Sequence, residues 1–397
     1  MLHSRGEALA PPRLRGSVTD MARSRPNRPQ RPSVPAPAGP SPAAIGASPS
    51  PVGAGPSPAA TPPMPRLIAT EKPARLALIR VIEKERDSRV IAYVTDPRGG
   101  VLGTRIADDA IPLFYEHLRR IGKVPRIDVL LQTYGGNTVT PNTLVHLLRE
   151  YCDELGVLVP YRAMSAGTLF SLGANEIVMG PLASLGPVDP SVSNDFNPEV
   201  DDGKGGKRRL EISVEDVSGY IALARDLAGV RVEDMAAVLA GLTTAGVHPL
   251  SLGNVQRQYL LIRSLSRRLL GLHMNAEAEK TRIDSIVDVL TEKLYFHGYH
   301  ISRHEAEKVI GLPIAHPSPA LETAMWDLYV AYARALQLSG FEPQGSFVVD
   351  SAAIESTELT HNFYIKGTAT KATATRGAPA PKLGVEIDVD RQGWEAV

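Results

Sequence analysis

The sequence predicts an α/β fold with a largely parallel sheet for the middle of this 397-residue chain. "RVIAYVT" (89–95) and "IDVLLQT" (127–133) are short, nearly continuous apolar runs, which are typical of strands buried on both faces. Segments with helical spacing alternate with these runs, and this alternation favours parallel strands joined by right-handed crossovers. The turns "YGGN" and "MSAG" each follow a candidate strand, which is where α/β proteins gather their functional residues.

The elements are predicted one by one from spacing and from turn signals. The first part is predicted as strand 89–95, helix 108–122, strand 127–133, helix 141–155, strand 156–161, helix 165–174 and strand 176–180. The second part begins with a predicted polar loop 194–210 and is mostly helix from 213, with one or two long helices over 254–294. A capped helix and turn over 301–314 and a helix over 318–339 are predicted next. The chain is then predicted to form strands 345–350 and 361–369, a Thr/Ala/Pro linker 367–382 and a terminal strand 384–390.

Residues 1–66 differ in composition from the rest of the chain. They hold 16 of the 33 prolines, no aromatic residue, and eight arginines against Glu7 and Asp20. Such a segment buries too little apolar surface to offset its ordering entropy, so we expect it to be disordered. A basic arm that contacts nucleic acid or another partner is the alternative. The chain as a whole has a formal net charge of zero, which argues against a nucleic-acid partner.

Several classes of protein are not expected from the composition. No apolar run of about 18 residues predicts a transmembrane helix, and the first residues lack a signal-peptide core. The single cysteine, Cys152, excludes an intrachain disulfide framework and is expected in the core on the predicted helix 141–155. We therefore predict a cytoplasmic protein. No metal-ligand spacing and no phosphate-binding loop is present, so no metal or cofactor is predicted.

Ser165 is the candidate nucleophile. It stands between Met164 and Ala166, where a strand gives way to a helix of small residues. The positive end of the helix dipole and the Ala166 N–H would face a carbonyl that Ser165 attacks. The flexible Gly135–Gly136 turn can supply a second N–H. The alternative is structural, because serine is also a common helix cap and Gly-Gly a common turn.

Three ordered stretches resemble the ClpP/crotonase superfamily: "LLQTYGGNTVTPNTLVHLL", "YRAMSAGTLFSLGANEIVMGPLASLGPVDP" and "ISRHEAEKVIGLPI". Within it, residues 85–315 are most similar to the serine dehydrogenase proteinase family, which is related to signal-peptide-peptidase-type serine peptidases. The resemblance implies a ClpP/crotonase-like fold, a homo-oligomer, and hydrolysis of peptide or protein substrates through an acyl-enzyme. It implies Ser165 as nucleophile and the Gly136 and Ala166 amides as oxyanion hole.

The general base is less clearly marked. Clp-type relatives have a histidine at the place where this chain has "LGPVDP", which contains Asp189. They have an aspartate at the place where this chain has "YFHGYHIS", in which His297 is the first candidate for the base and His300 the second. The partners thus look exchanged, and a Ser165–His297 dyad assisted by Asp189 is chemically sensible. Asp189 can also be a turn aspartate. A lysine base (Lys204 or Lys207), His248, or no competent base at all stay open as alternatives.

The predicted organisation has three parts: a disordered segment at 1–66, a ClpP/crotonase-like serine peptidase domain at 70–315, and a helical and mixed β extension at 316–397. Two other functions are kept as alternatives. The first is a non-catalytic oligomeric scaffold that has this fold without a base. The second is an acyl-CoA-binding crotonase-like protein, against which the serine of "MSAGT" argues. No dinucleotide fingerprint or pyridoxal-type lysine site is visible, so dehydrogenase chemistry is not predicted.

Overall fold

A central eight-stranded sheet organises the computed structural model, which describes residues 66–189, 191–192, 194–201, 206–244, 246–294, 296–371 and 385–397. The described strands are β1 (Arg89–Thr95), β2 (Val124–Gln132), β3 (Cys152–Val159), β4 (Arg162–Ala163), β5 (Glu176–Met179), β6 (Ser184–Leu185), β7 (Ser191–Val192), β8 (Glu199–Asp201), β9 (Lys207–Arg209), β10 (Ile212–Ser213), β11 (Ile301–Ser302), β12 (Ile314–Ala315), β13 (Gly345–Glu355), β14 (Thr360–Lys371) and β15 (Val385–Ala396). The disorder predicted for 1–66 falls on residues that, apart from Arg66, lie outside the described ranges.

Helices cover the sheet, and several helices of the second half of the chain share its main core. The described α-helices are α1 (Leu67–Thr70), α2 (Lys72–Arg86), α3 (Ala110–Ile121), α4 (Thr140–Arg149), α5 (Ala166–Ser171), α6 (Val214–Ala222), α7 (Met235–Thr244), α8 (Pro249–Leu270), α9 (Lys280–Glu292) and α10 (Pro319–Ala335). Short 3-10 turns span Gly100–Leu102 and Val232–Asp234, and π-helical turns span Leu223–Leu227 and Glu305–Ile310. The stretch 254–294, predicted as one or two long helices, therefore contains two, α8 and α9.

The predicted α/β fold is confirmed by the order of the main sheet, β12-β5-β3-β2-β1-β13-β14-β15. The strands from β12 to β1 are parallel to their neighbours, and β13 to β15 are antiparallel. The parallel strands are the apolar runs of the sequence, because both of their faces are covered. Their carboxyl ends lie on one edge of the sheet, where the serine and glycine turns follow.

A smaller three-stranded sheet lies beyond that edge. Strand β4 is parallel to β6, and β11 is antiparallel to β6. A single bridge between Thr133 and Ala163 joins this sheet to the end of β2. Two distant parts of the sequence, near residues 184 and 302, are therefore held side by side next to the serine turn.

Two local predictions are wrong. The helix predicted over 141–155 ends at Arg149, and Cys152 begins strand β3, because it pairs with Val124 of β2. The thiol is buried as expected, and this burial raises its pKa to about 11. The predicted loop 194–210 contains a short antiparallel pair, β8 with β9, whereas residues 202–205 lie outside the described ranges.

The segment 316–397 shares the sheet and one core with the residues that precede it. Strand β13 pairs with β1, and α10 packs against α2 across a core that includes Leu328. A fully buried ion pair joins Arg75 Nε of α2 to Glu355 Oε2 of β13 at 2.7 Å, and Tyr332 of α10 donates to the same oxygen. Because each charge has its partner, their burial is tolerated and ties three elements together. The segment is thus built into the sheet that carries the serine turn.

No single helix within the described ranges is both long and apolar enough to cross a bilayer. The segments Val232–Thr244 and Pro249–Leu270 meet that criterion only when taken together, and they are bent by 113° relative to each other.

Candidate active site

Ser165 lies in a strained turn between strand β4 and helix α5. Its backbone has φ 50° and ψ −111°, a combination that costs a non-glycine residue about 1–3 kcal/mol. It occupies the position before the first residue of α5, yet its hydroxyl makes no capping hydrogen bond to the helix. The side chain is half-buried. A strained serine at a strand-to-helix turn is the geometry that presents a nucleophilic hydroxyl above an α/β sheet.

Neighbouring backbone and side-chain bonds hold this turn in place. Thr133 at the end of β2 donates its N–H to Arg162 O (2.9 Å) and accepts from Met164 N–H (3.0 Å). The hydroxyl of Thr168 in α5 bonds the carbonyl of Ala163 at 2.8 Å. A Cβ on Gly167 would approach the Thr133 side chain to 2.5 Å, so the glycine of "SAG" allows the helix to pack against β2.

The Gly135–Gly136 turn lies directly beside Ser165. An added Cβ on Gly135 would stand 3.0 Å from the Cβ of Ser165. Gly136 has φ 153° and bridges to Ile106, whose carbonyl oxygen would be only 2.1 Å from an added Cβ. The chain can therefore pass between Ile106 and Ser165 only where both residues are glycine.

Two backbone N–H groups at these turns point to anion stabilisation. Neither the Gly136 N–H nor the Ala166 N–H donates to an acceptor in the part of the chain that the structure describes. The N–H of Ala166 is one of those that a helix leaves unpaired in its first turn, and Gly136 lines the same cavity as Ser165. A developing oxyanion is the ligand that such a pair of donors stabilises best.

His297 and Asp189 are joined by a hydrogen bond of 2.7 Å between Nδ1 of the imidazole and Oδ1 of the carboxyl group. The pairing of β6 with β11, in which Leu185 is opposite Ile301, brings the loop after β6 beside the loop before β11. Asp189 lies four residues after Leu185, and His297 lies four residues before Ile301. The Asp189 side chain is 3% exposed and that of His297 54% exposed. The imidazole therefore bonds to a buried carboxyl group while about half of its own side chain is exposed.

One cavity of about 590 Å³ is lined by Gly136, Ser165, Asp189 and His297 together. The sequence reasoning did not select several other polar residues of its wall: Asp96, Arg98, Thr104, Arg105, Tyr134, Asn137, Glu211, Asn254 and Gln258. Some of these wall residues could have been predicted from the sequence. The loop "DPRGGVLGTR" (96–105) follows β1, so it lies at the same sheet edge as the two turns.

Within this wall Arg98 is already paired with Asp96, the two being joined by a side-chain ion pair. Burial raises the pKa of the Asp96 carboxyl group, against the opposing effect of Arg98. Asn254 and Gln258 lie one turn apart on the same face of α8, and nothing in the local sequence marks that face.

The histidines named as alternatives have other surroundings. His300 Nδ1 lies 3.3 Å from Ser184 Oγ, and burial lowers its pKa. His248 caps helix α8, since its Nδ1 accepts from Leu250 N–H at 3.2 Å, and its ring stacks on Phe196. Neither of them lines the Ser165 cavity.

The lysine alternatives are also remote from the cavity wall. Lys207 is on β9 with its side chain 76% exposed and its Nζ 3.5 Å from Glu199. Lys204 lies outside the described residues. No lysine is among the residues that line the cavity in the described part of the chain.

A comparison of the sequence with known protein families finds a match that covers part of the chain. Residues 63–223 match the model of the ClpP-like SDH-type serine proteinases. The predicted family resemblance is confirmed. This SDH-type segment includes Gly136, Ser165, Ala166 and Asp189, whereas His297 follows it.

Known relatives cover smaller parts of the chain. The uncharacterized proteins MJ0137 and MJ1495 of Methanocaldococcus jannaschii are each 33% identical, over 32% and 30% of this chain. The chain spans about half the length of these curated relatives, 46% and 42%. Among solved structures, a variant of the 1510-N membrane-bound stomatin-specific protease overlays with a TM-score of 0.30 and 16% identity, covering 54% of this chain and 75% of that one.

Proposed function

We propose that the chain is a serine-type peptidase that hydrolyses peptide or protein substrates through an acyl-enzyme on Ser165. The observation that carries the proposal is the His297–Asp189 hydrogen bond at the wall of the cavity that Ser165 also lines. The strained turn of Ser165 and the unpaired N–H groups of Gly136 and Ala166 support it.

In this mechanism Ser165 Oγ attacks the carbonyl carbon of the scissile bond. His297, whose Nδ1–H is oriented by Asp189, accepts the Oγ proton at Nε2 and passes it to the leaving amine. The Gly136 and Ala166 N–H groups stabilise the negative charge on the carbonyl oxygen. Water then attacks the serine ester while His297 takes a proton from it, and His297 passes that proton to Ser165 Oγ as the acid product leaves. The predicted homo-oligomer stays a prediction.

Labelling with a small fluorophosphonate probe tests this proposal on the full-length protein. We expect wild type to be labelled and Ser165→Ala not to be. His297→Ala is expected to be labelled at least about 10²-fold more slowly, since a general base contributes that much. His248→Ala is the matched control, because it removes a histidine that caps a helix instead.

Each other outcome has a defined meaning. Folded wild type that is not labelled contradicts the peptidase and favours the non-catalytic scaffold. Labelling that is unchanged in His297→Ala keeps the serine nucleophile but excludes His297 as its base. Protection of Ser165 by a short acyl-CoA would favour the acyl-CoA-binding alternative.

A further inference from the structure

A second cavity adjoins the one at Ser165, and part of its wall is built by strands outside the SDH-type segment. The second cavity has a volume of about 440 Å³, and Thr104 and Arg105 line both cavities. Its far wall comes from β14 and β15, through Phe363, Val389 and Trp394. These two strands lie after residue 223, beyond the family match.

The far wall presents three apolar side chains in fixed positions, while Arg105, Asp109 and Gln392 form polar parts of the same lining. The rings of Phe363 and Trp394 pack edge to face with centroids 5.5 Å apart. Trp394 Nε1 donates to Asp109 Oδ2 at 2.8 Å, which sets the plane of the indole. Both rings are only half-buried, and Val101 on the near side is 50% exposed. Half-exposed aromatic and aliphatic side chains around a concave surface are typical of a ligand pocket.

The distance from this pocket to the Ser165 site follows from the chain that joins them. Ile106 pairs with Gly136 at the site, and Asp109 bonds Trp394 at the pocket. Three residues of extended chain span at most about 11 Å. Because paired strands lie about 5 Å apart, Asp109 at the pocket lies within about 16 Å of the Gly136 turn, a span that about five residues of extended peptide cover. A substrate peptide in the cavity would therefore reach the pocket with a side chain within about five residues of its scissile bond.

The rim between the two cavities is anchored to the same C-terminal strands. Leu102 is buried in a small core with Phe347, Val349 and Ile365. Thr104 donates its hydroxyl hydrogen to Ser351 O at 2.6 Å. The loop after β1, whose Thr104 and Arg105 line both cavities, is thus held against β13 and β14.

We propose that the pocket of Phe363, Val389 and Trp394 binds an apolar side chain of the substrate peptide, within about five residues of the bond that Ser165 attacks. This inference rests on the proposed peptidase function. A peptide substrate is the occupant favoured here because the pocket shares Thr104 and Arg105 with the Ser165 cavity. Strands β14 and β15 would then determine specificity.

Two measurements on the full-length protein separate this inference from the proposed function. The first is the rate of labelling by a small fluorophosphonate, which occupies only the Ser165 cavity. The second is cleavage of internally quenched ten-residue peptides that carry Phe, Leu, Asn or Asp at each position around a fixed cleavage site. Wild type is expected to prefer Phe or Leu by about tenfold at one position within about five residues of that site.

The variants Trp394→Ala and Val389→Ala are expected to reduce this preference below about threefold while the labelling rate stays within about twofold. Val348→Ala is the matched control, since Val348 is an exposed valine of β13 that lines neither cavity. Labelled wild type without any apolar preference, or a preference that both pocket variants retain, overturns the inference. Wild type that is not labelled overturns the proposed function and this inference with it.

Discussion

The serine side and the histidine side of the cavity are built in different ways. Gly136, Ser165 and Ala166 contribute backbone geometry at the ends of neighbouring strands, inside the segment that matches the family model. His297 contributes a side chain from a loop after α9, outside that segment, and the hydrogen bond of His297 to Asp189 joins it to the matched segment. The serine side is formed by the backbone conformation of the two turns, whereas the histidine side depends on the contact between the Asp189 and His297 side chains.

This difference teaches where the function can be lost while the fold is kept. A parallel sheet with its crossovers reproduces the two turns without any special side chain other than glycine and serine. The base requires the register of β6 with β11, and a residue change at 297 or 189 would leave that register intact. A non-catalytic scaffold would therefore keep the serine side and lack only a working histidine side.

The largest effect is expected from breaking the histidine side at Asp189. Asp189→Asn preserves the shape of the side chain but no longer favours the imidazole form with its proton on Nδ1. We expect the labelling rate to fall by about 10²- to 10⁴-fold with the protein still folded. Circular dichroism and the labelling rate constant, measured together, check it.

Asp195→Asn provides the control for that change, because the Asp195 side chain is 97% exposed. An unchanged rate in Asp189→Asn would mean that the carboxyl group does not orient the base, and that Asp189 is a turn residue.

The serine side is tested by Gly136→Ala. The added Cβ would meet the carbonyl oxygen of Ile106 at 2.1 Å, so the turn must move and its N–H with it. Loss of one oxyanion donor is expected to slow labelling by about 10²- to 10³-fold, and the clash is expected to lower the free energy of unfolding by about 1–3 kcal/mol. Urea unfolding and labelling measure the two effects separately.

Gly253→Ala is the matched control for Gly136→Ala, because Gly253 lies in α8 with open space around an added Cβ. That control is expected to be neutral or slightly stabilising. Wild-type labelling in Gly136→Ala would argue against its N–H as an oxyanion donor.

The smallest effect concerns the strain at Ser165. Because the φ of 50° at Ser165 suits glycine, the Ser165→Gly variant is expected to be more stable than the Ser165→Ala variant, with a free energy of unfolding about 1 kcal/mol higher. The same pair at Ser171, which has helical backbone in α5, should show the opposite order. Urea unfolding of the four variants measures both differences. Alanine as the more stable residue at position 165 would show that the turn carries no strain.

The sequence alone determined the parallel half of the sheet, the helices between its strands, and the serine and glycine turns. These features are local, since apolar runs, helical spacing and turn residues each act over a few neighbouring positions. The helix predicted through Cys152 failed because strand pairing with Val124 outweighed local helical spacing. The sequence also supplied His297 and Asp189 as candidates, through the family resemblance, but left His300, His248 and Lys207 beside them.

Only the tertiary structure decided which of these candidates share a cavity with Ser165. His297 and Asp189 are far apart in the chain and meet because β6 and β11 pair in one register, which no local pattern encodes. The pocket of Phe363, Val389 and Trp394 also depends on the tertiary structure. Strands β13 to β15 lie near the end of the chain, yet they extend the sheet from β1, which lies much earlier in the sequence. Contacts between residues so distant in sequence depend on the packing of the whole chain, which is why the structure was needed to find them.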